Sequence, residues 1–158
     1  MRARIDAVVD GARQRLAGAP RERLGDWAHA RRLLGFGRAP RIVPVGEAWH
    51  VGVLLIGDDE VWATGEILRA RTEAPRGYTA QAQRERSERA AAAARGGFAD
   101  GEVVHLGALP IDVGEVGRGM ASGPLSMIAG VVHVRWSATG ATRPLVDYLD
   151  EQLELLGR

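Results

Sequence analysis

The chain has no lysine, no cysteine and no asparagine, and all 21 of its basic side chains are arginine. Each absence removes a class of chemistry. Without lysine there is no Schiff-base nucleophile, no anchor for pyridoxal phosphate, no Walker-type phosphate loop and no Ser-x-x-Lys acylation site. Without cysteine there is no thiol nucleophile, no disulfide, no thiolate-held zinc and no iron–sulfur cluster. No cofactor is predicted, although a divalent metal held by histidine and carboxylate stays compatible with the composition. Long apolar runs are missing too, and nothing approaches the roughly 20 residues of a membrane helix. Met1 to Pro20 is rich in arginine and acid and lacks the apolar stretch of a signal peptide. The expectation is a cytoplasmic protein without a membrane partner, with which the missing cysteine agrees.

What is present fits one soluble domain spanning residues 1–158, with 46% apolar and 26% charged residues. Abundant Ala, Gly and Arg with no Lys or Asn is the imprint of a GC-rich genome, so arginine number alone does not signal nucleic acid. The net charge of +1 is unevenly spread. Residues 1–41 hold ten arginines against Asp6, Asp10, Glu22 and Asp26, whereas the rest is acidic. Such a split suits a basic segment docked on its own acidic domain or on a twin's.

Ile5, Val8, Val9, Ala12 and Leu16 share one helical stripe, broken by Gly18-Ala19-Pro20. Leu24, Trp27, Ala28 and Leu34 predict a second helix ended by Gly35-Phe36-Gly37, making residues 1–37 a basic helical hairpin. Residues 41–158 then form an α+β core. Val51–Ile56 and Val61–Ile67 flank the turn cluster Gly57-Asp58-Asp59-Glu60. With Asp58-Asp59 as the loop, positions summing to 117 face each other. Thr79 is the expected cap of a central helix running to Arg95, whose face Ala82, Ala90, Ala93 and Ala94 suits close packing on a sheet or another subunit. Strands are expected at Glu102–Leu109 and Val131–Ser137, an irregular Gly-rich loop at 113–130, and a last helix from Pro144 burying Leu145, Val146, Leu149, Leu153 and Leu156. The predicted fold class is α+β: an antiparallel sheet of about four strands, an N-terminal helical hairpin, a central helix and a C-terminal helix.

The candidate chemistry is sparse. None of His29, His50, His105 and His133 shows HExxH spacing. If the strands bearing His105 and His133 pair, both imidazoles reach one sheet face with Glu66 nearby. That set has the composition of a metal or acid–base site, and Arg135 could orient an anionic group. Glu66 interrupts an apolar strand face, so it needs a cation, with Arg135 and Arg69 as candidates. Gly114, Gly117, Gly119 and Gly123 are not spaced as a nucleotide loop, and neither Ser122 nor Ser126 sits in a Gly-x-Ser-x-Gly elbow. Trp49, Trp62 and Trp136 on strands and Trp27 on a helix are expected to pack in the core. A helix-turn-helix reader would present Arg21, Arg23, Arg31 and Arg32, but the third supporting helix is lacking.

The stretch Ile42-Val-Pro-Val-Gly-Glu-Ala-Trp-His50, the segments Gly77-Tyr78-Thr79 and Arg95-Gly-Gly-Phe98, and the ending Pro144-Leu145…Tyr148-Leu149…Glu154-Leu155-Leu156 resemble a small uncharacterised protein family of GC-rich bacteria. The resemblance covers most of the chain. Some members are labelled glutaminase, which implies hydrolysis of an amide C–N bond. Without lysine or cysteine, that activity requires a mechanism using neither a Ser-x-x-Lys nucleophile nor a thiol.

Three readings follow. The first is a non-catalytic module that binds a protein or small-molecule partner, as a homodimer. The second is a hydrolase acting on C–N bonds, metal-assisted, with Glu66, His105 and His133 as base or ligands. The third is nucleic-acid binding through the Arg-rich N-terminal helices.

Overall fold

A computed structural model describes residues 1–28, 39–72 and 80–157. In chain order its elements are α1 (Arg2–Leu16), β1 (Glu22–Trp27), β2 (Ile42–Val51), β3 (Leu54–Ile56), β4 (Val61–Ala63), β5 (Glu66–Arg69), α2 (Gln81–Arg95), β6 (Val103–Leu106), β7 (Leu109–Pro110), α3 (Val113–Gly117), β8 (Leu125–Ile128), β9 (Val131–Arg135), β10 (Thr142–Pro144) and α4 (Leu145–Leu156). Among the described residues no helix is long and apolar enough to cross a membrane. The chain divides into two compact units: Met1–Arg21, Ala48–Thr64 and Ala108–Arg158 form the first, Glu22–Glu47 and Gly65–Gly107 the second.

In the first unit, α1 forms where the apolar period predicts it. Ile5, Val9, Ala12 and Leu16 are buried, and Gly18 at φ +87° ends the element. These side chains share a core with Leu54, Ile56, Val61, Val134, Tyr148 and Leu149. Each large aliphatic there contributes about 1.5–3 kcal/mol on burial. The ladder of this unit runs β2-β3-β4-β7. The expected hairpin register holds: Leu54 faces Ala63, Leu55 faces Trp62 and Ile56 faces Val61. The long apolar run before it, however, is two strands. At Gly52, φ is +60° and an added Cβ would stand 1.9 Å from the Tyr148 hydroxyl oxygen, so only glycine fits the turn between β2 and β3. A separate sheet, β10-β9-β8, is antiparallel throughout. Residues 113–130, expected as a loop, contain α3, β8 and a two-residue turn at Ala129-Gly130. Their glycines serve contacts and turns: Gly117 lies against the Arg2 backbone, and Gly119, Gly123 and Gly130 have positive φ. In α4, Leu145, Tyr148, Leu149 and Leu153 are buried, whereas Val146 and Leu156, expected inside, are exposed.

The second unit has the ladder β5-β6-β1-β2, in which β2 contributes residues 42–47. Counting both ladders, seven strands take part, not about four. The arrangement is mixed, because β1 runs parallel to β6 while β5 runs antiparallel to it. The N-terminal helical hairpin does not form. Residues Glu22–Trp27, expected as the start of its second helix, are a strand, and the remainder, including His29, Arg31, Arg32 and Leu34, lies outside the described residues. The physical reason is tertiary. Gly25 weakens a helix, and its bare α-carbon lets Ile42, Val104 and Phe98 approach to within 2.7–3.3 Å of where a Cβ would be. Helix α2 covers one face of the ladder, with Ala92 and Ala93 against Ile42, Leu68, Val104 and Phe98. Of the expected small-residue face, Ala90 and Ala93 are buried in the second unit, whereas Ala94 is half-buried and Ala82 is exposed. Thr79, the expected cap, lies outside the described residues, and Ala80 stands at the N-cap. The helix ends as expected at Gly96-Gly97. The Phe98 N–H donates to the Ala93 carbonyl and the Gly97 N–H to the Ala94 carbonyl, with Gly97 at φ +107°, which is a Schellman ending.

Candidate functional site

Strand β6 carries His105, whose side chain is completely buried. Its register explains its partner. Leu24 of the parallel strand β1 lies opposite His105. Side chains two residues apart share a face, so Glu22 falls beside His105. The Glu22 carboxylate contacts His105 Nε2. A carboxylate on one imidazole nitrogen fixes the ring's orientation, as in general-base and metal-ligand pairs. Within the second unit Glu22 and His105 bring together a carboxylate and an imidazole, both of which can ligate a divalent cation.

The structure separates the expected set. Glu66 lies opposite Leu106 and Ile67 opposite His105, so Glu66 and His105 occupy opposite faces of the same strand pair. On its own face Glu66 meets α2. Arg89 Nε donates to Oε1 at 3.0 Å and lies 2.8 Å from Oε2 in an ion pair. The apolar strand face did require a cation, but the cation is Arg89, not Arg69 or Arg135. His133 and Arg135 belong to β9 in the first unit, opposite Ser126 and Thr142. Strand β9 pairs with β8 and β10, and β6 with β1 and β5, so the pairing that would align His105 with His133 is not formed. The His133 Nδ1 is buried without a hydrogen-bond partner among the described residues. His50 Nε2 lies 2.9 Å from the Gly52 carbonyl oxygen. Trp49 is core as expected, with its indole N–H donating to the Ala19 carbonyl, but Trp27 and Trp136 are exposed.

Three further features lie among the described residues. Arg23 grips Glu102 through two nitrogens, Nε at 2.7 Å and Nη2 at 2.9 Å, and stacks over Phe98 at 4.7 Å. The Arg23 hydrogen bonds hold the Glu102 carboxyl below the ordinary range, and Glu102 in turn raises the Arg23 guanidinium. In the first unit a cleft of about 340 Å³ is walled by Ile5, Val8, Val131, Val132, Leu145 and Val146, with Arg4 the charged member of its lining. In the second unit, Arg69, Arg71, Thr72, Asp100 and Gly101 line a polar recess of about 390 Å³.

Glu22 and Arg89 were missed in the sequence because neither shows a local signal. The first needs the parallel β1–β6 register, the second the placement of a helix on a sheet face. No family model, curated protein or solved structure matches the chain.

Proposed function

We propose that this protein is a non-catalytic binding module that pairs with a second copy of itself through the first unit. One observation carries the reading: exposed Val131 and Val146 stand together at an apolar cleft whose lining holds a single charged side chain. Contiguous apolar surface rimmed by polar residues is where protein partners dock. A second copy suits it because a cleft set against its own image about a two-fold axis gives a closed, self-complementary contact, and Leu156, exposed on the last turn of α4, adds apolar surface. Of the four acids of α4, Asp150 pairs with Arg15 and Glu151 with Arg143, which lowers the repulsion across such a contact. Sedimentation across micromolar to submillimolar protein tests this. Wild type is expected to dimerise and Val146→Glu to stay monomeric. A wild type that is monomeric throughout overturns the reading.

Among the described residues the expected set of Glu66, His105 and His133 is not assembled, which supports the non-catalytic part. Glu66 is occupied by Arg89, and its strand neighbour His105 faces the other way. The contact of Glu22 with His105 favours one alternative, a metal-assisted hydrolase of amide C–N bonds, because an imidazole and a carboxylate are both divalent-cation donors. Zinc retained stoichiometrically after dialysis by wild type and lost from Glu22→Gln would turn the argument to that alternative. Equal, negligible retention by both would remove it.

A further inference from the structure

Arg69 closes β5, and Arg71 and Thr72 follow it. Opposite them is the turn Ala99–Glu102, closed by the Glu102 N–H donating to the Ala99 carbonyl at 3.0 Å, with Gly101 at φ +81°. That is the geometry of a type II turn, which requires φ above zero at its third residue. The Ala70 N–H donates to the Glu102 carbonyl at 3.0 Å and the Gly101 N–H to the Ala70 carbonyl at 2.7 Å, and three bonds from side chains add to these backbone ties between the two segments. Arg69 Nη1 donates to the Gly101 carbonyl at 3.1 Å. Asp100 Oδ1 accepts from both the Thr72 N–H at 2.8 Å and the Thr72 hydroxyl at 3.1 Å. Both Thr72 bonds therefore fall on one carboxylate oxygen, and Arg69 commits one of its five N–H donors. Most arginines of the described chain are tied by ion pairs or carbonyls, as Arg13, Arg15, Arg21, Arg23, Arg89, Arg95, Arg118 and Arg143 are. Among the described residues no hydrogen bond or ion pair engages the Arg71 guanidinium, although its charge acts on Asp100.

The recess thus offers two guanidinium groups and one carboxylate, a local charge of one positive unit. A monoanion neutralises it. A phosphate dianion overshoots and stands beside Asp100. A planar guanidinium matches a carboxylate through two parallel N–H bonds, and the Asp100 carboxylate asks for a donor next to that anion. We propose that Arg69, Arg71 and Asp100 form a binding site for a small carboxylic acid bearing an amino or hydroxyl donor on its α-carbon. The arginines take the carboxylate, and Asp100 takes the donor. The recess volume of about 390 Å³ lies within the span of small-molecule sites, roughly 300–1,000 Å³. This site belongs wholly to the second unit and does not rest on self-association.

Calorimetric titration of the full chain with glycine, glycolate, acetate and inorganic phosphate tests it. Glycine or glycolate is expected to bind severalfold tighter than acetate, and phosphate no tighter than acetate. Glycine alone assigns an ammonium donor, glycolate alone a hydroxyl. Arg71→Ala is expected to weaken the preferred acid about tenfold, the loss of one charge-assisted contact. Asp100→Asn keeps the Oδ1 acceptor for Thr72 but removes the charge, so it is expected to erase the advantage over acetate. Matching circular-dichroism melts of both variants and wild type exclude a folding cause. Phosphate binding tightest, no heat with any of the four probes, or an advantage over acetate that survives Asp100→Asn would each overturn the proposal.

Discussion

Removing one oxygen from Tyr148 tests the account of the first unit's core. The side chain is 4% exposed, and its hydroxyl accepts the Val53 N–H at 2.8 Å. Tyr148→Phe leaves that N–H without its acceptor, at a cost of about 1–3 kcal/mol. At 2–4 °C per kcal/mol for a domain of this size, the melting temperature is expected to fall by roughly 2–12 °C. The same oxygen forbids a side chain at Gly52, where a Cβ would stand 1.9 Å away. Gly52→Ala therefore combines a left-handed backbone penalty of about 1–2 kcal/mol with a collision. In the Tyr148→Phe background the nearest colliding atom is gone, so the double variant is expected to lose less stability than the two single losses together. Burial also pushes the Tyr148 phenol above its ordinary value of 10.0. A raised phenol means that the folded state holds this proton more tightly than the unfolded chain. Its contribution is complete below pH about 10 and lost as pH rises through the folded value. Wild type should lose stability in that alkaline window, and Tyr148→Phe should lose less. Urea midpoints at pH 7 and above pH 10 measure both effects. Strict additivity with Gly52→Ala, or an unchanged midpoint for Tyr148→Phe at pH 7, would refute the geometry.

Two other outcomes are expected. The Arg23 hydrogen bonds lower Glu102, so its contribution is present above the ordinary carboxyl value of about 4.3 and lost as pH falls through the folded value; urea melts of Glu102→Gln should therefore show a shallower acid-side decline than wild type. Ala129, at φ +48°, is the one non-glycine with positive φ among the described residues and shares its two-residue turn with Gly130; Asn tolerates that region better, so Ala129→Asn should raise stability by about 0.5–1 kcal/mol, read as a melting temperature higher by roughly 1–4 °C.

Helices α1 and α4 were legible because a buried face repeats every three to four residues, and that signal is local. The β3–β4 register was legible because a four-residue turn cluster pins it. Strand β1 was not, since its six residues fit either period and the choice is made by β6, some 80 residues away. Glu66 announced itself as a misplaced charge, yet its partner lies on a helix whose placement over the sheet no local pattern encodes. His105 was nameable as a candidate, whereas Glu22 became its partner only through the β1–β6 pairing. The glycines of residues 113–130 looked like a loop because close approach and left-handed turns use the residue that flexible segments also use.

The first unit draws its core from three separated stretches, and this orders events on the ribosome. Helix α1 is synthesised before α3 and α4, against which it packs. Between Leu16 and Leu145 about 130 residues must be added, which at about 5–20 residues per second takes roughly 6–26 s. For that interval Ile5, Val9 and Leu16 lack the α4 side of their core, although Leu54, Ile56 and Val61 are already made. The nascent chain therefore carries a partly open apolar stripe, a handle for a chaperone and a hazard without one, until α4 has been made.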